Sequence, residues 1–318
     1  MQRLITYFRV VLAAVVVTLF GVNNLWAQES SVNAYSPYTM YGVGELGTHG
    51  NAINRELGGT GVAMRSTQMA SLLNPAGYSA AMPKSFILEV GLEGNFLKNQ
   101  QRKYSSTSAT DYTTAENAKN IVNFREIAIQ MPVAKGLGFG FSLTPYGSVG
   151  YKMHTFEQSE DIWGTVGGVM YNYQGDGDLT EVKAGLGWEI FRGFSLGVAA
   201  KYYWGNIKHN YSTSIYGDYV GSGDFVSTIG LDDYAFSNFK FQVGLQWNIL
   251  STKKRLLTVG ATYDYGGPLR PKVEQTIYIG DYSSTIVNQE SSRGQMRLPH
   301  AVNAGISYQD AKFIANFD

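Results

Sequence analysis

Apolar and polar residues alternate along several long segments of the chain. In residues 84–98 (KSFILEVGLEGNFLK), apolar side chains recur at nearly every second position, and glycine or polar residues lie between them. This period of two is that of a β-strand whose two faces meet different surroundings. Segments 180–190, 194–204 and 238–250 repeat the pattern, and 256–265 and 296–308 follow it less strictly. Such lengths exceed the ~5–6 residues usual for soluble strands and match the ~9–11 residues of a tilted membrane-spanning strand.

The two faces of these segments differ in composition. Aromatic residues stand towards the ends of the apolar faces, as is usual where strands pass the lipid headgroups. The opposite faces carry Gly, Ser, Asn, Gln and isolated charges, whereas the water-exposed face of a soluble β-sandwich would be rich in charge. The pattern therefore predicts an all-β, antiparallel transmembrane β-barrel with a polar lumen. A secreted β-sandwich is the alternative.

The links between the strands are of two kinds. Short links at 134–136, 192–193 and 251–254 join some strands, and long polar stretches join others, namely 99–120, 210–237 and 280–295. Short periplasmic turns and long extracellular loops are typical of outer-membrane barrels, so we expect the long stretches to be external loops. About 10–11 strands would follow residue 84, and the last of them, at 311–318, is short for a spanning strand. Because closed bacterial barrels generally have an even strand number, we expect the chain to be truncated at its C-terminus.

Composition indicates export and excludes several classes of protein. Residues 1–27 have the features of a Sec signal peptide, with Arg3 and Arg9 before an apolar run at 10–22 and a cleavage site after Ala27. The 25 basic and 25 acidic residues balance, so no basic surface for nucleic acid is expected. Without cysteine, the chain has no lipid-anchored Cys, disulfide or thiolate metal site. We expect location in the outer membrane of a Gram-negative bacterium.

Several short motifs are weak evidence for chemistry. Residues 42–47 fit G-x-G-x-x-G but follow no strand, and the four histidines lie far apart, so we expect no cofactor, no metal site and no enzymatic activity. Alternating glycines at 136, 138 and 140 are predicted to be small lumen-facing positions within a strand. Residues 176–178 (DGD) are predicted to form a hairpin turn, and Glu89 and Glu93 a solvated pair in the lumen.

Residues 28–83 are predicted to form a small, partly helical hatch inside the barrel, followed by the barrel at 84–318. The hatch contains Gly58, Gly59 and Gly61, which allow close backbone approach and unusual dihedral angles. It closes on Asn74-Pro75-Ala76-Gly77, where Pro75 biases Asn74 away from helix and fixes a bend after residues 65–73. Asn74 is a candidate to hydrogen-bond the hatch to the barrel wall. In the alternative interpretation, residues 74–77 only cap a helix and begin a turn.

With these features the chain resembles the FadL/TodX family of outer-membrane transporters for hydrophobic compounds. The resemblance rests on the glycine- and alanine-rich run that ends in Asn-Pro-Ala, and on Arg297-Leu298-Pro299 with the strands after it. Residues 36–42 (SPYTMYG) are more similar to the Bacteroidetes version of the family. The matched hatch positions are Gly58, Gly59, Gly61, Ala63, Ala70, Asn74, Pro75 and Ala76.

The resemblance implies a 14-stranded, monomeric barrel in outer-membrane lipid. A small hydrophobic ligand, such as a long-chain fatty acid or an aromatic hydrocarbon, would enter by passive diffusion, and movement of the hatch would open a lateral exit. Gly58, Gly59, Gly61, Asn74, Pro75 and Ala76 would be the gating residues. An alternative is a related barrel that binds protein partners as a component of type IX secretion. A barrel enzyme is disfavoured because no nucleophile–base pair is evident.

Overall fold

The computed structural model describes residues 36–105, 108–157, 168–216, 227–252, 254–279 and 284–318, all within the compact unit Val32–Asp318. The predicted signal peptide lies outside the described residues. The first part holds two 3₁₀ helices (Pro37–Met40 and Pro75–Ala80), helix α1 (Ala52–Glu56) and strand β1 (Glu45–Leu46). The other strands are β2 (Ile87–Ser105), β3 (Ser108–Ala134), β4 (Leu137–Glu157), β5 (Gly168–Phe191), β6 (Phe194–Tyr216), β7 (Thr228–Ser251), β8 (Arg255–Asp264), β9 (Gly267–Pro268), β10 (Lys272–Ile279), β11 (Ser284–Arg293), β12 (Arg297–Leu298), β13 (Ala301–Asp310) and β14 (Phe313–Phe317).

Twelve of the described strands form one antiparallel sheet, and the predicted all-β barrel fold is confirmed. Its order is β14-β13-β8-β7-β6-β5-β4-β3-β2, with β1 added to β4 and the β10–β11 hairpin added to β7. No ladder among the described residues joins β2 to β14. The two-residue strands β9 and β12 pair with each other. Among the same residues, no helix is long and apolar enough to cross a membrane.

The predicted external loops are wrong, because most of their residues are strand. Residues 99–120 belong to the β2–β3 hairpin, 210–237 are largely the outer ends of β6 and β7, and 280–295 contain β11. Residues 99–120 and 280–295 are largely polar, and in 210–237 apolar residues such as Phe236 lie on the lumen side. None of the three stretches therefore continues the apolar–polar contrast of the band that reveals a strand. The predicted hairpin turn at residues 176–178 is also wrong, since this segment lies inside β5. Gly136 is in the turn between β3 and β4, with φ 73°, whereas Gly138 and Gly140 are in β4.

Exposed apolar side chains form a band near the short turns of the barrel. On β7 the band contains the odd-numbered residues from Phe239 to Ile249, and on β6 it runs from Leu196 to Trp204. Each of these strands then continues for about as many residues again, to Tyr216 on β6 and back to Thr228 on β7. A membrane needs only ~9–11 residues of a tilted strand. The outer halves of β5, β6 and β7 therefore project beyond the band; we name this part the overhang.

The sheet opens between β3 and β4. Their ladder runs from the turn to the pair Ile127↔Leu143 and stops there. Beyond this pair β4 continues to Glu157 beside β5, with a register shift between Pro145 and Gly147, while β3 continues beside β2 alone. The space between the diverging strands is named the opening. Residues 36–47 line its β4 side.

Candidate functional site

The 3₁₀ helix Pro75–Ala80 packs against the inner face of β4, β5, β6 and β7. Each of these strands presents glycine where the helix approaches, and a Cβ at any of them would lie under 3.0 Å from a hatch atom. Larger side chains would prevent this contact, so the glycines form a groove for the hatch. The four positions are Gly138, Gly187, Gly197 and Gly244. Gly140 receives the ring of Tyr78, which is 2% exposed and whose phenol pKa is raised by burial.

Asn74 joins the hatch to the barrel wall and also caps the helix. Its side-chain amide donates to the carbonyl oxygens of Val62 in the hatch (2.8 Å), Leu245 in β7 (3.1 Å) and Ala261 in β8 (3.4 Å). Its Oδ1 accepts from the backbone N–H of Ala76 at 3.0 Å. Asn74 is extended, as expected before Pro75, and is fully buried. Both interpretations of this motif therefore describe real contacts, and its role in gating stays a prediction.

The three predicted hatch glycines lie apart from this helix. Gly58, Gly59 and Gly61 have φ of 78°, 86° and 138°, so each has a backbone conformation that favours glycine. A Cβ on Gly58 or Gly59 would meet nothing within 4 Å, so these two are needed for the chain reversal after α1 rather than for close packing. The N–H groups of Gly61 and Val62 donate to Asp318 Oδ2 at 2.5 and 2.9 Å. The six predicted gating residues thus fall into two groups. Gly58, Gly59 and Gly61 follow α1, whereas Asn74, Pro75 and Ala76 lie at the start of the hatch helix.

Polar side chains of the wall make further bonds to the hatch that the sequence did not predict. They bind backbone groups of the hatch, which otherwise would be buried without partners. Gln246 Nε2 donates to the carbonyls of Val62 and Met64 (3.1 and 3.2 Å), and Gln242 Nε2 donates to that of Leu73 (3.2 Å). The only sequence signal was their position, four residues apart on the polar face of β7.

The wall of β2, β3 and β5 adds three more such contacts. Lys183 Nζ donates to the carbonyl of Leu72, and Gln130 Oε1 accepts from the N–H of Ser71 at 2.8 Å. Glu89 Oε1 accepts from the N–H of Ala70 at 2.8 Å, and Glu93 is paired with Arg125 at 3.2 Å. The prediction that Glu89 and Glu93 form a solvated pair is therefore wrong. A strand pattern shows which face is polar, but it does not show what that face touches.

A cavity of about 580 Å³ lies between the hatch and the wall, and charged side chains line it. Lys201 Nζ is 2.5 Å from Asp264 Oδ1 and 3.6 Å from Glu181 Oε2. Lys183 completes the charged group and also donates to Gln242 at 3.2 Å. Glu181 and Lys183 are 3% exposed. Within the described ranges, no group of three His, Asp or Glu side chains is placed to hold a metal ion.

An apolar cluster fills the lumen side of the overhang next to the opening. Its buried members come from β4 to β7 and from the link between β9 and β10; they are Val149, Tyr151, Leu179, Tyr203, Ile207, Phe236 and Leu269. Met40 and Val43 of the hatch pack against it. Residues 36–47 are thereby held against the inner side of β4 by apolar contact as well as by backbone hydrogen bonds.

The same segment presents three large apolar side chains to solvent. Tyr38, Tyr41 and Leu46 are 86%, 72% and 58% exposed. The hatch is also bonded to β3 next to Ile127, where the β3–β4 ladder ends. Arg55 pairs with Glu126 at 2.9 Å, and Arg125 donates to Thr48. The hatch thus contacts β3 where the opening begins, and its exposed Tyr38, Tyr41 and Leu46 form an apolar surface in the opening.

Comparisons with known proteins give one family and two similar structures. The family model described as BamG matches residues 9–317. No curated protein sequence matches the chain significantly. A FadL homologue from Pseudomonas aeruginosa is similar with 12% identity and a TM-score of 0.48, over 83% of this chain and 65% of that one. The toluene transporter TodX from P. putida is similar with 14% identity and a TM-score of 0.48, over 86% and 68%. The chain thus spans about two thirds of the length of these proteins.

Proposed function

The chain belongs to the BamG family, and we propose that it is a protein-binding component of the outer membrane whose hatch stays docked while it works. The observation that carries this proposal is the charged surface between hatch and wall. Glu181, Lys183, Lys201 and Asp264 line one part of the cavity, and apolar residues such as Leu72 and Val302 line another. Burying apolar groups against these charges would remove their remaining water without replacing it, which is unfavourable.

The number of bonds across the hatch supports the same proposal. Gln242, Gln246 and Lys183 of the wall donate to hatch carbonyl oxygens, and Asn74 of the hatch donates to a wall carbonyl, that of Leu245. Each buried acceptor that loses its donor costs about 1–3 kcal/mol, so moving the hatch would break several such bonds together. A ligand that diffuses passively through the barrel would have to supply this free energy by binding.

The overhang supplies the surface that a protein partner needs. It extends β5, β6 and β7 beyond the apolar band, and its outer face is polar, with Asp176, Lys208 and Asp233 adjacent across the three strands. A channel does not need strands of this length. An apparatus such as type IX secretion, in which a barrel binds other proteins, is the example that the resemblance suggests.

A disulfide between hatch and wall tests this proposal. Ser79 Oγ and Ser195 Oγ are 3.0 Å apart, one on the hatch helix and one on β6, and the chain has no cysteine of its own. The double variant Ser79→Cys/Ser195→Cys is therefore expected to lock the hatch under oxidising conditions. We expect locked cells to behave as the wild type does, both in growth and in uptake of radiolabelled fatty acid or toluene. The single variants and reduced cells are the controls.

Uptake of hydrophobic molecules through a hatch-gated lateral exit is the second candidate function. The observation that favours it is the opening between β3 and β4, which begins next to the hatch. In that case oxidation of the double-cysteine variant would abolish uptake and a reductant would restore it. Such a result would overturn the protein-binding proposal in favour of transport.

A further inference from the structure

Among the described residues, the opening leaves one edge of β3 without a neighbouring strand. β3 begins at Ser108, but its ladder with β4 starts only at Ile127. Over residues 108–126, the described ladders join β3 to β2 alone. Because β3 lies inside the sheet order, this edge belongs to the interior of the wall and not to either end of the sheet.

Part of this edge lies at the level of the apolar band. Val122 and Phe124 of β3 are 78% and 38% exposed, and on β2 the nearby Leu92 and Phe96 are 70% and 83% exposed. Lipid cannot donate or accept hydrogen bonds, so unpaired backbone groups at this level are unfavourable. A partner for the edge must therefore supply backbone donors and acceptors, as an extended strand does.

The opposite side of the opening already binds extended backbone. Glu45 and Leu46 pair with Ser148 and Gly147 of β4, and the N–H of Ser36 donates to the carbonyl of Gly150 at 2.9 Å. The N-terminal segment thus satisfies the β4 edge at residues 146–150, and no described strand covers the β3 edge. Tyr38, Tyr41 and Leu46 of that segment are exposed beside the gap, as is typical of surfaces that another protein covers.

We propose that an extended strand of an integral outer-membrane partner adds to the β3 edge and covers Tyr38, Tyr41 and Leu46. This proposal rests on the protein-binding function and names its surface. Acyl chains would cover the three side chains but would leave the backbone groups unpaired. A strand from a partner satisfies both requirements at once, and the aromatic rings supply large contact area at small loss of conformational entropy.

Site-specific photocrosslinking in intact cells tests the proposal. The photoreactive residue p-benzoylphenylalanine is placed at Tyr41, Leu46 or Val122 of the full chain. Val198 and Val243 are the matched controls, since they are 55% and 46% exposed on the closed wall of β6 and β7. We expect the first three positions to give an adduct with one protein that stays in the membrane after alkaline washing. The two controls are expected to give none.

The crosslinked peptides decide whether the partner adds as a strand. Probes at Asn120, Val122 and Phe124 lie on one face of β3, and in a strand addition they must reach partner residues that are also two apart in sequence. Equal adducts at the control positions, adducts with lipid only, or irregular partner positions would overturn the proposal. An adduct of twice the mass of the chain would show a second copy in the opening and would overturn it as well.

A probe at Lys208 separates this site from the proposed function. Lys208 is exposed on the overhang, away from the opening. A protein adduct at Lys208 but none at the opening would overturn this site and leave the protein-binding function intact. Loss of uptake in the hatch-locked variant, with no protein adduct at any position, would overturn both.

Discussion

The two sides of the barrel make different contacts with the hatch. On the β5–β8 side, glycines admit the hatch helix, Asn74 of the hatch donates to a wall carbonyl, and Gln242 and Gln246 of the wall donate to hatch carbonyls. On the β3–β4 side, the strands diverge above Leu143 and the hatch ends in exposed Tyr38, Tyr41 and Leu46. The first side holds the hatch helix, whereas the second also bonds the hatch, through Gln130 and the Arg55–Glu126 pair, but leaves an apolar surface of the hatch exposed. Substitutions on the first side should therefore affect stability, and those on the second should affect binding.

Removal of the buried cation should have the largest effect on the fixed side. Lys201→Met removes the cation that pairs with the buried Glu181 and the half-buried Asp264, and the loss of a buried partner costs about 3–5 kcal/mol. Urea unfolding of the barrel in detergent micelles measures the change. Lys208→Met, on the exposed overhang, is the matched control and should change the free energy of unfolding by less than about 0.5 kcal/mol. Equal effects of the two variants would contradict the structural role of Lys201.

A side chain added to the glycine groove should displace the hatch. A Cβ at Gly197 would overlap the backbone of Pro75 and Ala76, so Gly197→Val should cost about 1–3 kcal/mol or expel the helix. Trypsin cleavage after Arg65, whose side chain is only 9% exposed, reports the displacement. Gly94→Val is the control, because a Cβ there meets nothing within 4 Å. Resistance of Gly197→Val to trypsin would show that the helix is not held in this groove.

Loss of the Asn74 amide should loosen the hatch without expelling it. Asn74→Ala leaves the carbonyls of Val62, Leu245 and Ala261 without this donor, at a cost of about 1–3 kcal/mol. Faster trypsin cleavage after Arg65 and a lower urea midpoint are expected. In the overhang, Asn172→Ala removes a bond to Ser212 and should leave the cleavage rate unchanged. If both variants are cleaved at the wild-type rate, Asn74 does not hold the hatch.

Substitution on the open side should have the smallest effect on stability. Tyr41→Ser and Leu46→Ser alter side chains that are 72% and 58% exposed, so each should change the free energy of unfolding by less than about 0.5 kcal/mol. The crosslinking yield from a probe at Val122 should nevertheless fall. A destabilisation as large as that of Asn74→Ala would show that these side chains pack within the barrel, which would remove the contrast between the two sides.

The difference between the two sides also explains which site residues the sequence revealed. Asn74 and Pro75 were predicted because their local preferences for capping and bending are properties of a few adjacent residues. Gln246 and Lys183 were missed, since a polar residue on a strand face is compatible with water, lumen or hatch. Glu89 was placed in solvent for the same reason, although it binds the N–H of Ala70. Contacts between residues far apart in sequence leave no local signal.

The sequence by itself determined the all-β class, the apolar band, and the bend at Asn74-Pro75. These follow from the period of two, from the contrast between apolar and polar faces, and from glycine and proline at fixed places. Only the tertiary structure decided how far the strands run, because the overhang is polar outside and carries apolar residues such as Ile207 and Phe236 on its lumen side, so it does not continue the pattern of the band. It also decided where the wall opens. Strand pairing between β3 and β4 depends on how the strands bend around the hatch, and both strands keep the same local pattern whether or not they remain side by side.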